Sequence, residues 1–213
     1  VELIADALLF DLDGTLVDST PAVIRSWTAW AAERGITEAQ FAAIATHGRT
    51  SRSIVADLVP ADQVDTADAR IQQLELADLT GVTALPGAAD LLARLDPARW
   101  AVVTSGVRRL AAARLAAAGL PTPRVLVSAD DVRHGKPDPE PYLAGAAGLG
   151  IAPGRCVVVE DAPAGLTAGR AAGMATVAVA GTHRPEELKA DLVLPDLAHL
   201  SVTGTGRLVL RAA

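Results

Sequence analysis

The stretch Cys156-Val157-Val158-Val159-Glu160-Asp161-Ala162-Pro163-Ala164-Gly165 decides the fold of this chain. Its first four residues form a short, wholly apolar, mostly β-branched run, which reads as a strand buried on both faces. Two adjacent acids follow at once, then a Pro and a Gly that open a helical stretch. Carboxylates at the end of so apolar a strand are costly to bury unless a cation compensates them, which points to a metal. A helix N-terminus offsets one carboxylate, so Asp161 taken alone also fits a simple cap. Cys156, inside the run, reads as a small core residue.

Working outward, the same kind of run recurs at Ala7-Leu8-Leu9-Phe10, Trp100-Ala101-Val102-Val103, Val125-Leu126-Val127, Ala175-Thr176-Val177-Ala178-Val179 and Leu192-Val193-Leu194. From Trp100 onward these runs alternate with Ala/Leu-rich helical stretches at 107–118, 138–149 and 162–172 and a short one near 185–190. That alternation implies an α/β fold with a parallel sheet covered by helices on both faces, hence three layers. Ligands of such sheets sit beyond the carboxyl ends of the strands, so the residues just after each run are the ones to inspect. Residues 18–86 carry helical periodicity only, with helices expected at 20–33, 37–45, 50–58 and 62–79 and Gly35, Gly48, Pro60 and Gly81 as punctuation. The expected organisation is therefore a core of residues 1–17 and 87–213 with a small helical insert, 18–86, after the first strand. Gly206-Arg207-Leu208-Val209-Leu210 could add an edge strand.

Composition narrows the function. The 213 residues carry 19 Lys+Arg against 25 Asp+Glu, a net charge of −6, with 50% hydrophobic and 3% aromatic residues. This excludes a disordered tail and a basic nucleic-acid scaffold, and leaves few platforms for stacking single-stranded bases. Cys156 is the only cysteine, so no intrachain disulfide can form. No apolar stretch reaches the roughly 18–20 residues of a membrane span, and the N-terminus lacks a signal-peptide layout. A soluble, cytoplasmic protein with neither nucleic acid nor membrane as partner is expected. Only Lys136 and Lys189 among the 19 basic residues are Lys, which makes Lys136, held between Gly135 and Pro137, conspicuous.

Three more strand ends are informative. Asp11-Leu12-Asp13-Gly14-Thr15 offers two carboxylates that reach one site if the chain turns immediately, which Gly14 permits; a solvated Asx-turn is the plainer alternative. Thr104-Ser105-Gly106 precedes a helix, where hydroxyls and backbone N–H groups can seat a phosphate or simply cap the helix. Lys136 is either a point-charge clamp for phosphate or an ordinary loop residue. Taken jointly, four consecutive strand ends supply two acids, hydroxyls, a Lys and two more acids, a set suited to Mg²⁺ and phosphate. The oxygen-only donors favour Mg²⁺ over zinc.

In order and spacing, Asp11-Leu12-Asp13-Gly14-Thr15, Thr104-Ser105, Lys136-Pro137 and Glu160-Asp161 resemble the four motifs of the haloacid dehalogenase superfamily, and the insert resembles its type-one cap. Val102 to Gly106, His134 to Tyr142 and Glu160 to Gly165 further resemble the polyol- and sugar-phosphate phosphatases, including those acting on glycerol phosphate and 2-deoxyglucose 6-phosphate. The resemblance implies a Rossmann-like core and a Mg²⁺-dependent phosphomonoesterase. Asp11 would be the nucleophile, Asp13 the general acid and base, and Thr104, Ser105 and Gly106 the phosphate seat, with Lys136 neutralising charge. Asp11, Asp13 through its backbone carbonyl, and Asp161 would hold Mg²⁺, with Glu160 coordinating it or bonding a metal water.

In the insert, His47 and Arg49 fall where these phosphatases place a substrate loop, although a helix end and a surface Arg are plain alternatives. Trp27 and Trp30, three apart on one helix face, read as packing of the insert. Thr50 stands where the glycerol-phosphate enzymes carry an Arg, which counts against glycerol phosphate. The expected partner is a small phosphate ester, and the protein a monomer or weak dimer. Competing readings are a phosphoglucomutase, a phosphoglycolate or nucleotide phosphatase, and a non-catalytic binding protein. The absence of Lys between residues 18 and 86 counts against the mutase, and the intact Asp11, Asp13, Lys136 and Asp161 against the binding protein.

Overall fold

The computed structural model describes residues 1–44, 48–204 and 206–213. Its strands are β1 (Glu2–Ala5), β2 (Ala7–Phe10), β3 (Val17–Asp18), β4 (Thr83–Ala84), β5 (Trp100–Val103), β6 (Leu126–Val127), β7 (Cys156–Glu160), β8 (Ala175–Val179), β9 (Leu192–Leu194), β10 (Leu200–Thr203) and β11 (Leu208–Ala212). Its helices are α1 (Thr20–Arg34), α2 (Glu38–Ala42), α3 (Ser51–Ala56), α4 (Val64–Ala77), α5 (Ala88–Arg94), α6 (Arg108–Ala117), α7 (Glu140–Leu149) and α8 (Pro163–Ala171). None among the described residues is long and apolar enough to cross a membrane.

Six strands form a parallel sheet in the order β6-β5-β2-β7-β8-β9. Successive side chains alternate between its faces. Leu8, Phe10, Val102, Val157 and Val159 enter one core together with Leu91, Leu92 and Leu115 of α5 and α6. Ala7, Leu9, Ala101, Val103 and Val158 enter the other, against Tyr142 and Ala146 of α7 and Ala168 of α8. Burial on both faces is why these strands read as unbroken apolar runs. The chain passes from β2 outward to β5 and β6, then returns to β7 on the other side of β2. The crevice at that reversal, beyond the carboxyl end of β2, is where such a sheet accepts ligands.

Helices α1–α4 lie between the antiparallel pair β3 and β4 and share their own apolar cluster of Trp27, Trp30, Ile54, Val55, Val64, Ala67 and Ile71. Trp30 is fully buried and donates its indole N–H to the Ala67 carbonyl at 2.8 Å. Trp27 meets it edge-on at 5.3 Å between centroids, worth about 1 kcal/mol beyond area burial. Both indoles pack within the insert's apolar cluster, as their spacing on one helix face indicates, and Trp27 also borders the cavity between sheet and insert.

Some details differ from the sequence expectation. The segment near 185–190 is a single 3₁₀ turn, Pro185–Glu187, because Pro185 starts it and nothing propagates it. The terminal strand runs over Leu208–Ala212 and does not edge the parallel sheet. It lies between β1 and β10 in a separate antiparallel sheet, burying Leu208 and Leu210. Strand β1, with only Ala5 buried, and the short helix α5 lacked a strong apolar signature.

Candidate active site

The turn after β2 begins with the Asp11 N–H donating to the Val159 carbonyl of β7 at 2.9 Å. The chain then folds back tightly, as the Leu12 carbonyl accepts from Leu16 N–H at 2.9 Å and Val17 N–H at 3.0 Å. Gly14 has φ of 90°, the left-handed region, and a Cβ there would overlap the Asp161 carboxylate. The turn thus brings motif one against the end of β7. Asp11 and Asp13 leave it towards opposite partners.

Asp11 Oδ1 accepts from Lys136 Nζ at 2.5 Å, and the same ammonium donates to Glu160 Oε1 at 2.7 Å and to the Val103 carbonyl at 3.0 Å. Lys136 therefore reaches from the loop after β6 to the ends of β2, β5 and β7. Burial alone would lower its pKa, but the Asp11 and Glu160 charges outweigh burial and raise it, so the ammonium stays charged. Glu160 is fully buried. Its Oε1 also accepts from the Tyr142 hydroxyl at 3.0 Å, and its Oε2 from the Asp161 and Ala162 N–H groups at 2.9 and 3.0 Å. Four donors thus converge on the Glu160 carboxylate.

Asp161 is buried, with Thr15 Oγ1 donating to Oδ1 at 3.3 Å and Thr182 Oγ1 bonded to Oδ2. Burial, reinforced by the Glu160 charge, pushes its pKa up to about 7. Burial likewise raises Asp11 well above the usual carboxylate range, against the pull of Lys136. Asp11, Glu160 and Asp161 offer oxygens within 4.8 Å of one another. With Lys136 as the ammonium among them, full ionisation of these three acids would leave an excess of buried negative charge. A hard divalent cation on carboxylate oxygens meets that need. The residues therefore fit a metal, and Asp11 and Asp161 retain the less occupied oxygens.

Residues 5–173 match the family model described as haloacid dehalogenase-like hydrolase. The chain belongs to that family. This hydrolase is similar to hexitol phosphatase A of Escherichia coli, with 46% identity over 92% of the chain and 93% of the relative. It is also similar to glycerol-1-phosphate phosphohydrolase 2 of Saccharomyces cerevisiae, with 32% identity over 96% and 87%. Among solved structures it resembles a hydrolase from Pseudomonas syringae, with 30% identity, a TM-score of 0.81 and coverage of 91% and 94%.

In this hydrolase the other motif-one carboxylate, Asp13, faces the insert. Its Oδ1 accepts from Ser19 Oγ at 2.7 Å and its Oδ2 pairs with Arg114 Nη1 at 2.9 Å. A cavity of about 870 Å³ lies between sheet and insert, lined by Asp11, Asp13, Thr104, Arg114, Asp161 and Glu75, with Val23, Trp27, Ile36 and Phe41 on its apolar side. Thr104, at the end of β5, is buried, and its hydroxyl accepts from Gly106 N–H at 3.1 Å. Ser105 Oγ donates to the Gly48 carbonyl at 2.8 Å, so the hydroxyl expected at phosphate instead ties the core to the insert.

The cap candidates fare differently. Arg49 lines the cavity, but its guanidinium is held by Ser53 and by Asp57 at 2.8 Å, within and just after α3. His47 lies outside the described residues. Thr50 caps α3, accepting from Ser53 N–H at 3.2 Å. The sequence reading missed Tyr142 as a partner of Glu160, Thr182 as a partner of Asp161, and the buried pair Arg114 and Glu75. Arg114 carried a usable signal, since it sits among the apolar positions Leu110, Ala111 and Leu115 of α6, where an arginine is buried only with partners.

Proposed function

We propose that this hydrolase is a Mg²⁺-dependent phosphatase of small sugar and polyol monophosphates, with residues 1–17 and 87–213 as catalytic core and 18–86 as cap. The observation that carries this reading is the division of labour on one turn: Asp11 on Lys136 at the core, Asp13 turned towards the cap cavity. The hexitol phosphatase likeness supports the polyol-phosphate class.

In this scheme an Asp11 carboxylate oxygen attacks phosphorus in line, and the ester P–O bond breaks. The departing alkoxide takes its proton from Asp13, leaving an aspartyl-phosphate. Asp13 then takes a proton from water as that water attacks phosphorus, which frees Asp11 and inorganic phosphate. Thr104 and the backbone N–H groups of Ser105 and Gly106 receive the phosphoryl oxygens, and Lys136 offsets their growing charge. Asp11, Asp161 and the Asp13 carbonyl would hold Mg²⁺, which supplies charge neutralisation between carboxylate and phosphate. Glu160, saturated by its four donors, is read as the holder of Lys136 in place of a metal ligand. Arg49, tied to Ser53 and Asp57, is read as a wall of the cap in place of an anion clamp.

The test is phosphate release from a panel of phosphomonoesters with Mg²⁺ and with chelator. Hexitol and hexose phosphates should exceed nucleotides and phosphoglycolate in kcat/KM by at least about tenfold, with activity lost on chelation. Preferred turnover of nucleotides would overturn the substrate class, and no release from any ester would overturn the phosphatase reading.

A further inference from the structure

Arg114 joins the core to the insert through two carboxylates. From α6, its Nη1 meets Asp13 Oδ2 at 2.9 Å and its Nη2 meets Glu75 Oε1 of α4 at 3.0 Å. The Arg114 and Glu75 side chains are 6% and 8% exposed, and all three residues line the cavity with Asp11 and Thr104. Arg114 Nε is buried with no hydrogen-bond partner among the described residues. A planar guanidinium holds two acceptors at a fixed divergence, which an ammonium cannot do. With Ser19 Oγ on Oδ1 at 2.7 Å, Asp13 is gripped from both sides and its carboxylate plane is set. Glu75 belongs to the insert, so the second arm of this grip closes only when α4 lies over α6.

We propose that Arg114 is a positioning residue for Asp13, and that Glu75 makes this positioning depend on the insert being seated over the core. The inference rests on the reading of Asp13 as proton donor to the leaving group. Glu75 fixes the guanidinium, the guanidinium fixes the Asp13 carboxyl, and a substrate that holds the insert in place thereby aligns its own acid. A salt bridge that merely fastened insert to core would affect all substrates alike.

The experiment compares Arg114→Met, Arg114→Lys, Glu75→Ala and their combinations on a hexitol phosphate and on p-nitrophenyl phosphate, whose leaving group needs little protonation. It reads the single-turnover rate of leaving-group release, because the later hydrolysis of the aspartyl-phosphate, with Asp13 as base, is common to both esters. Arg114→Met should lower that rate on the hexitol ester by about 100-fold, with the half-saturating substrate concentration changed by less than about threefold, while the aryl ester loses less than about tenfold. Arg114→Lys, which keeps a charge and one donor, should regain part of that release rate on the hexitol ester only. Glu75→Ala should shift the same ratio, and adding it to Arg114→Met should cost no more than Arg114→Met alone. Thermal melts identify variants that fail to fold; should Arg114→Met be one, Arg114→Lys and Glu75→Ala carry the comparison.

Equal losses on both esters, a change confined to the half-saturating concentration, or multiplicative effects of the two sites would overturn the proposal. Asp13→Asn separates the two levels. If it too loses equally on both esters, the acid reading fails; if it is selective while the Arg114 variants are not, only the positioning role fails.

Discussion

Glu160 Oε1 takes the Lys136 ammonium at 2.7 Å with both side chains 1% exposed. Neither charge could be buried alone without a penalty of several kcal/mol, so each makes the other possible. This pair fixes the ammonium against Asp11, where the proposed reading places the phosphoryl group. Removing Glu160 should therefore damage both stability and chemistry. Glu160→Ala should cost about 3–5 kcal/mol in urea unfolding, because it leaves donors from Lys136, Tyr142 and two backbone groups without their acceptor. Glu160→Gln keeps the shape and should cost less stability, yet lower kcat by about 100-fold as Lys136 loses one of its two anions. Unchanged kcat in a folded Glu160→Gln variant would remove Glu160 from the account.

The smallest substitution that should reach the same pair is Gly165→Ala. A Cβ at Gly165 would overlap Glu160 Oε1, on a rigid, fully buried side chain with nowhere to retreat. The expected cost is about 1–3 kcal/mol of overpacking, read as a lower melting temperature, with kcat reduced because Glu160 and Lys136 must shift together. A melting temperature and kcat equal to those of the native protein would show that Glu160 can move freely.

Asp161 links pH to the cation. Its folded pKa of about 7 lies above its ordinary 3.8, so between those values the folded state binds the extra proton. In the absence of a divalent cation, stability should then fall as pH rises from about 4 to about 7. In the proposed reading Mg²⁺ binds the ionised carboxylates, and so would relieve a repulsion that grows as Asp161 ionises near pH 7. The rise in melting temperature on adding Mg²⁺ should thus be several degrees larger at about pH 8 than at about pH 5.5. An equal rise at both pH values would contradict the placement of the cation at Asp11 and Asp161.

Most of the parallel sheet was legible because its strands are buried on both faces, and Val157-Val158-Val159 or Trp100-Ala101-Val102-Val103 then admit few other readings. Strand β1 was not, since Glu2, Leu3 and Ile4 stay partly or largely exposed and its partner β11 lies at the far end of the chain. The motif residues at the strand ends were legible from their chemistry, and the structure brings Asp11, Lys136, Glu160 and Asp161 together. Their division of labour was not, because Glu160 and Asp161 are adjacent in sequence but face Lys136 and Thr182 respectively. Arg114 and Glu75 lay 39 positions apart in ordinary helical stretches, and only the packing of α4 on α6 joins them.

The central claim is that Asp11 carries the phosphoryl group. Native protein turning over a phosphomonoester is quenched in acid, the trapped acyl phosphate is reduced with borohydride, and the peptide spanning residue 11 is sequenced by mass spectrometry. Homoserine at position 11, absent without substrate and absent in an Asp11→Asn variant that folds but releases no phosphate, is the expected result. Phosphate release by clean Asp11→Asn protein, or trapping at another residue, would contradict the account.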